Sequence, residues 1–144
     1  MLRTAQTLSI SIATPASIVY EFVADPQRLP LWAAGLGDRP TRLADGAWRV
    51  ETNAGPMRVV FVQPNSFGVV DHSVQPLSGE GPGVDVPLRV VPNGTGSEVL
   101  LTLFKQDGMS DEQFAADADL VRADLARLKR AVEQLVPTAP TLGC

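Results

Sequence analysis

The stretch that decides the fold is SDEQFAADADLVRADLARLKRAVEQL, residues 110–135. Apolar residues recur in it at alternating spacings of four and three, the period of one face of an α-helix. They are Phe114, Ala118, Val121, Leu125, Leu128, Val132 and Leu135. Ser110 and Gln113 have the spacing of a capping box, and Pro137 ends the pattern. The sequence predicts a helix over 110–136, about 40 Å long at 1.5 Å per residue, whose apolar stripe requires a large partner surface.

The segments before this helix predict a sheet that can supply the surface. Apolar and polar residues alternate in seven segments separated by turn signals, as expected of half-buried strands. The predicted strands cover 4–12, 41–44, 47–53, 57–63, 66–75, 83–91 and 97–105. Two short helices follow the first strand. One is predicted to have Thr14 as its N-cap with Pro15 at the first helical position, and the other to begin after Asp25 and extend to about Leu36.

The turns also predict which residues face each other across the sheet. Thr52 is paired with Met57, Gln63 with Ser66, and Pro92 with Ser97, so that one face is apolar and the other is polar. On the apolar face Trp48 lies opposite Phe61, Val50 opposite Val59, Met57 opposite His72, and Val86, Leu88 and Val90 opposite Leu103, Leu101 and Val99. On the outer face Glu51, Arg58 and Asp71 form a ladder of alternating charge.

Length and composition narrow the class of protein. The 144 residues are 44% hydrophobic, which suits one domain over 1–137 followed by a disordered tail at 138–144. The net charge of −4 argues against nucleic acid as a partner, and no apolar run approaches the ~20 residues of a membrane span. A single histidine and the terminal Cys144 predict no metal site and no cofactor, and a reducing cytoplasm is the simplest location.

The order of elements and several stretches resemble the SRPBCC superfamily, which includes START, Bet v 1-like and polyketide cyclase/dehydrase proteins. The similar stretches are ISIATPASIVYEFVADPQRLPLWAAGL (10–36), FGVVDHSV (67–74), PLRVVPNGTGSEVLLTLFKQDGMSDEQF (87–114) and DLARLKRAVEQL (124–135). The resemblance covers roughly 4–136 and points to small bacterial members. It implies the helix-grip fold, an α+β fold in which a curved, seven-stranded antiparallel sheet wraps around the long C-terminal helix and leaves a cavity between them.

The resemblance implies three functions between which the sequence does not decide. The leading hypothesis is that the cavity binds a small, mostly apolar molecule that is aromatic, polyketide-like or lipid-like. The first alternative is a cyclase or dehydratase in which His72 acts as acid or base. The second is a protein-interaction module that uses Leu100 and Phe104 on the outer face, in a monomer or a homodimer.

His72 and Trp32 are the two candidate residues with polar groups. Neighbouring residues of a strand face opposite sides, so His72 is predicted to point inward and Asp71 outward, and the two do not form a dyad. His72 either hydrogen-bonds a ligand or acts as a general base, or it is a core histidine satisfied by water or backbone. Trp32 either stacks on a flat ligand at the cavity mouth or plugs the open end of the barrel.

The remaining candidate ligand-binding residues are apolar. They are Trp48, Met57, Phe61, Val86, Leu88, Phe114, Ala118 and Val121. These side chains are predicted to line the space between the sheet and the helix, either as a ligand pocket or as ordinary core. The loop at 75–83, rich in Gly and Pro, is either a flap over the cavity or an inert connection.

Overall fold

A computed structural model describes residues 1–36 and 38–135. Its helices are α1 (Ala16–Val23), α2 (Leu29–Trp32) and α3 (Asp111–Leu135), with 3₁₀ turns at Pro26–Arg28 and Ala34–Leu36. Its strands are β1 (Ala5–Ile12), β2 (Asp38–Arg42), β3 (Trp48–Thr52), β4 (Gly55–Phe61), β5 (His72–Pro76), β6 (Val84–Val86), β7 (Leu88–Asn93) and β8 (Gly96–Phe104). The predicted tail at 138–144, with Cys144, and the helix stop at Pro137 lie outside the described residues.

The eight strands form two antiparallel sheets, in the orders β1-β8-β7 and β2-β3-β4-β5-β6. The chain passes from one sheet to the other at Pro87, which has no N–H to donate to a continuous ladder. Its carbonyl accepts a hydrogen bond from the Thr102 N–H at 3.0 Å. The single strand predicted over 83–91 is therefore two strands, and the count is eight rather than seven. The curved antiparallel sheet and long C-terminal helix confirm the predicted α+β helix-grip fold.

The register of the last hairpin is confirmed, and two other registers are wrong. Pro92 pairs with Ser97, Leu88 with Leu101 and Val90 with Val99, as predicted. The predicted pair of Val86 with Leu103 is wrong, because Val86 lies in β6 and pairs with His72. In the hairpin of β3 and β4, however, Thr52 pairs with Gly55 instead of Met57. Between β4 and β5 the partner of His72 is Phe61, where Met57 was predicted. These shifts are of two and four residues, and an even shift leaves every side chain on its predicted face.

The shifted registers change the charge pairs on the outer face. The predicted ladder of Glu51, Arg58 and Asp71 does not form. Arg58 instead donates to the Asp45 carboxylate at 2.6 Å. Asp71 pairs with Arg89 at 2.9 Å. Both pairs join residues on the solvent-exposed side of the sheets, where ion pairs contribute little to stability.

The helix starts agree only in part with the sequence signals. The capping box of α3 is confirmed, since the Gln113 N–H donates to the Ser110 hydroxyl at 3.1 Å and the Ser110 N–H donates to the Gln113 side chain at 2.9 Å. The Asp25 carboxylate caps the next turn by accepting from the Gln27 N–H. Thr14 was wrongly predicted as a cap, because its buried hydroxyl has no partner among the described residues. The second helix is broken into three short segments at 26–28, 29–32 and 34–36.

The hydrophobic core is one cluster that joins α1, α2, both sheets and the buried face of α3. Leu125, Leu128 and Val132 are completely buried there. Two polar contacts fix the helix to the end of β1: the Lys129 ammonium donates to the Ser11 carbonyl at 3.0 Å, and the Glu133 carboxylate accepts from the Ala13 N–H at 3.0 Å. The C-terminal half of the helix is therefore anchored by both packing and hydrogen bonds.

Candidate functional site

The inner face of the five-stranded sheet is only partly covered by α3. Phe114 and Val121 lie on the same apolar stripe as Leu128, but they are half-buried where Leu128 is fully buried. On the facing sheet, Met57 and Val74 point inward and are also half-buried. Inward-pointing side chains that remain partly accessible indicate that α3 covers this part of the sheet incompletely. We call this partly covered region, with Met57, Val74, Phe114 and Val121, the hollow.

An open cleft of about 880 Å³ lies where the N-terminal half of α3 passes the hairpin between β3 and β4. Its lining consists of Asp117 and Leu120 on α3, residues 51–54 on the hairpin, and Pro30 in α2. Thr52 shares the inward face with Val50 and also lines this cleft. We call it the entrance cleft, because it lies between α3 and the inward-facing Thr52 at the edge of the five-stranded sheet.

His72 is buried at the other end of β4 and β5. Its Nδ1 lies 3.0 Å from the Val70 carbonyl oxygen. A carbonyl can only accept, so Nδ1 carries the proton and Nε2 is left as the acceptor. The Phe61 ring lies 5.0 Å away, centroid to centroid. Burial lowers the pKa of His72, so the imidazole is neutral near pH 7. No described residue donates to Nε2.

Asp71 is engaged away from His72. Its carboxylate accepts the Leu88 N–H at 2.8 Å and two guanidinium nitrogens of Arg89 at 2.9 and 3.2 Å. The hydrogen bond from Arg89 lowers the pKa of Asp71 below its usual value. The two neighbours therefore have separate partners, and His72 has no carboxylate hydrogen-bonded to it.

Trp32 is buried rather than placed at a solvent-exposed mouth, with 3% of its surface exposed. Its indole Nε1 finds no acceptor among the described residues. Its backbone carbonyl accepts from Arg127 Nε at 3.3 Å, which links α2 to α3. A buried donor without a partner costs about 1–3 kcal/mol, and it is available to an acceptor brought in by a ligand or water.

The other predicted residues divide between core and accessible surface. Leu88 and Ala118 are fully buried core residues, and neither borders accessible space. Trp48, Phe61 and Val86 are half-buried. Leu100 and Phe104, predicted as an exposed patch, are also only half-buried.

One structural contact was not predicted from the sequence. The half-buried Asp124 carboxylate contacts the Arg127 guanidinium and accepts the Ala34 N–H at 3.3 Å, so it holds α2 against the middle of α3. Burial raises the pKa of Asp124 despite these partners. The spacing of three between an acidic and a basic residue on the helix was the only signal for this contact.

The described residues contain no group of three or more His, Cys, Asp or Glu side chains placed to hold a metal ion. None of their helices is long and apolar enough to span a membrane.

The burial of His72 predicts a specific pH dependence of stability. The pKa of His72 is lower in the folded protein than the ordinary value of 6.5, so below about pH 6.5 the unfolded chain binds a proton that the folded protein does not. The stability tied to neutral His72 is therefore complete above pH 6.5 and is lost as the pH falls below it. We expect urea unfolding at about pH 8 and about pH 5 to show a smaller loss of stability in His72→Gln than in the wild type. Equal losses would contradict the assignment.

A long C-terminal helix held by a curved antiparallel sheet, with inner space beneath one half of the helix, defines the helix-grip class. No protein-family model matches the sequence, and no curated protein matches it. Several solved structures are similar to it in fold. The Zhui aromatase/cyclase from Streptomyces sp. R1128 aligns with a TM-score of 0.74 at 14% identity, over 96% of this chain and 99% of that one.

Two further structures support the same class. A START superfamily protein from Mycobacterium smegmatis aligns with a TM-score of 0.66 at 15% identity, over 91% of this chain and 98% of that one. Ara h 8.0201 aligns with a TM-score of 0.65 at 11% identity, over 91% of this chain and 98% of that one. At these identities the likeness establishes the fold alone. The protein has an SRPBCC-type fold.

Proposed function

We propose that the protein binds a small, mostly apolar molecule in the hollow, which the ligand reaches through the entrance cleft. One observation supports the proposal: the apolar stripe of α3 is fully buried at Leu125, Leu128 and Val132, whereas its larger N-terminal side chains are half-buried. These are Phe114 and Val121, and only the small Ala118 between them is fully buried. Each Å² of apolar surface that a ligand removes from water contributes about 25 cal/mol. A sheltered, largely apolar space with few polar groups is the usual form of a small-molecule site.

Two buried side chains have hydrogen-bonding capacity that the described residues leave unused. Trp32 offers an N–H donor, and His72 offers Nε2 as an acceptor. A ligand that extends from the hollow to these two side chains would need a carbonyl to accept from the Trp32 N–H and a phenolic hydroxyl to donate to His72 Nε2. This chemistry favours an aromatic or polyketide-like molecule over a saturated lipid chain, and the similarity in fold to an aromatase/cyclase agrees with it.

The geometry around His72 favours binding over catalysis. General acid–base catalysis requires a positioned substrate and usually a second polar group. The Nδ1 of His72 is bonded to a backbone carbonyl, and Asp71 is bonded to Arg89. A cyclase or dehydratase that uses His72 as its acid or base remains the alternative. In that case His72→Ala would retain ligand binding and abolish turnover, whereas a carrier binds several ligands and converts none.

Filling the hollow is expected to abolish binding. In Val121→Trp the indole occupies the space that the ligand would take, so the affinity for the neutral fluorescent probe N-phenyl-1-naphthylamine should fall by about tenfold or more, roughly 1.4 kcal/mol. The matched control is Ala123→Trp, which adds an indole at an exposed position on the same helix. Probe fluorescence measures the affinity, and thermal unfolding verifies that both variants fold. Equal affinity in the two variants, or no binding to the wild type, would contradict the proposal.

A further inference from the structure

A second cleft lies at the C-terminal end of β4, away from the turn that joins β3 and β4. It encloses about 440 Å³ between the end of α1, the turn before β3 and the last residues of β4. We call it the rim cleft. Trp48 and Phe61, both half-buried, and Pro26 give it apolar walls. The entrance cleft is lined by other residues, so the two clefts are separate openings.

The charged residues that line the rim cleft give it an excess positive charge. Arg42 and Arg58 are the cations, and Asp45 is the anion. Asp45 accepts the Ala47 N–H at 3.0 Å and the Arg58 guanidinium at 2.6 Å, so its charge is compensated within the cleft. Arg42 is exposed and makes no ion pair with any described residue. The rim cleft thus carries a net positive charge in a protein whose formal charge is −4.

We propose that the rim cleft binds a small aromatic carboxylate. The planar guanidinium of Arg42 matches a carboxylate in shape and charge, and it is the side chain suited to bidentate recognition of such anions. Trp48 and Phe61, which both line the cleft and are half-buried, suit an aromatic ring, because such a ring buries apolar area and stacks at an offset. The hollow lacks this combination, because its bounding residues are all apolar. The proposal does not depend on the function proposed for the hollow.

The test compares two probes that share the naphthalene ring, of which only one carries a carboxylate. Calorimetric titration with 2-naphthoate and with neutral 2-naphthalenemethanol measures the contribution of the carboxylate. We expect Arg42→Gln to weaken 2-naphthoate binding roughly three- to tenfold and to leave the neutral probe unchanged. The matched control is Arg49→Gln, which removes an exposed arginine that pairs with Glu51 and does not line the rim cleft. It should not alter either affinity.

Two further variants separate this proposal from the one for the hollow. Asp45→Asn keeps the acceptor for Ala47 but releases Arg58, and should strengthen 2-naphthoate binding. Val121→Trp fills the hollow and should leave 2-naphthoate binding intact. If Val121→Trp abolished it while Arg42→Gln did not, the anion would bind in the hollow and the rim-cleft proposal would be overturned. Equal losses in Arg42→Gln and Arg49→Gln, or no binding to the wild type, would also overturn it.

Discussion

Gly68→Ala is expected to destabilise the protein by at least about 3 kcal/mol, more than any single surface substitution should. Gly68 has a φ of 76°, a left-handed conformation that costs other residues about 1–2 kcal/mol. A Cβ at this position would lie 2.0 Å from the Val90 carbonyl oxygen, which is a backbone atom of β7. The Gly68 carbonyl also accepts the Val90 N–H at 2.8 Å, and moving the loop away to relieve the clash would break this bond.

A matched glycine isolates the effect of the close approach. Gly79 has nearly the same φ, 78°, but a Cβ there would meet nothing within 4 Å. Gly79→Ala should therefore cost only the conformational strain of about 1–2 kcal/mol. Urea unfolding of both variants measures the difference in free energy. Equal losses of stability in the two variants would contradict the close contact between Gly68 and the Val90 carbonyl of β7.

Features fixed by neighbouring residues could be predicted from the sequence. The capping box joins Ser110 and Gln113, which are three residues apart, and the last hairpin is set by the turn at Asn93 and Gly94. Both were predicted correctly. The alternation of faces was also correct for His72, because an even error in register does not turn a side chain over.

Features fixed by distant residues could not be predicted. The register of β5 depends on the loop at 62–71, whose Asn65 side chain bonds the Phe67 and Val69 N–H groups. The Asn65 N–H in turn donates to the Tyr20 hydroxyl, 45 residues away along the chain. The pairing of Asp71 with Arg89 and the buried indole N–H of Trp32 likewise arise from tertiary packing. No local pattern carries that information.

The sequence predicted that Met57, Phe114 and Val121 line the space between the sheet and the helix, but it did not show which part of the stripe stays uncovered. The stripe of α3 is apolar along its whole length, so the sequence treats Val121 and Val132 alike. Which part of the stripe is covered depends on how far the helix stands from the sheet. Stability measurements can distinguish the two halves where the sequence cannot.

Leu128→Ala is expected to cost about 2–5 kcal/mol, the range for removing a large side chain from a packed core. Leu128 has no exposed surface, and its neighbours on the stripe, Leu125 and Val132, are fully buried as well. The cavity left behind cannot collapse, because the Lys129 and Glu133 contacts hold this half of α3 against β1. Urea unfolding measures the loss.

The matched comparison is Val132→Ala with Val121→Ala, the same substitution on the same stripe. Val132 is fully buried and should lose about 2 kcal/mol, from the removed methyl groups and the cavity. Val121 borders the hollow and already lacks contacts on one side, so its loss should stay below about 1 kcal/mol. Equal losses at the two positions would mean that Val121 is packed as tightly as Val132. A ligand would then have no space beneath the helix, because a Val121 side chain in full contact with protein atoms leaves no volume for another molecule.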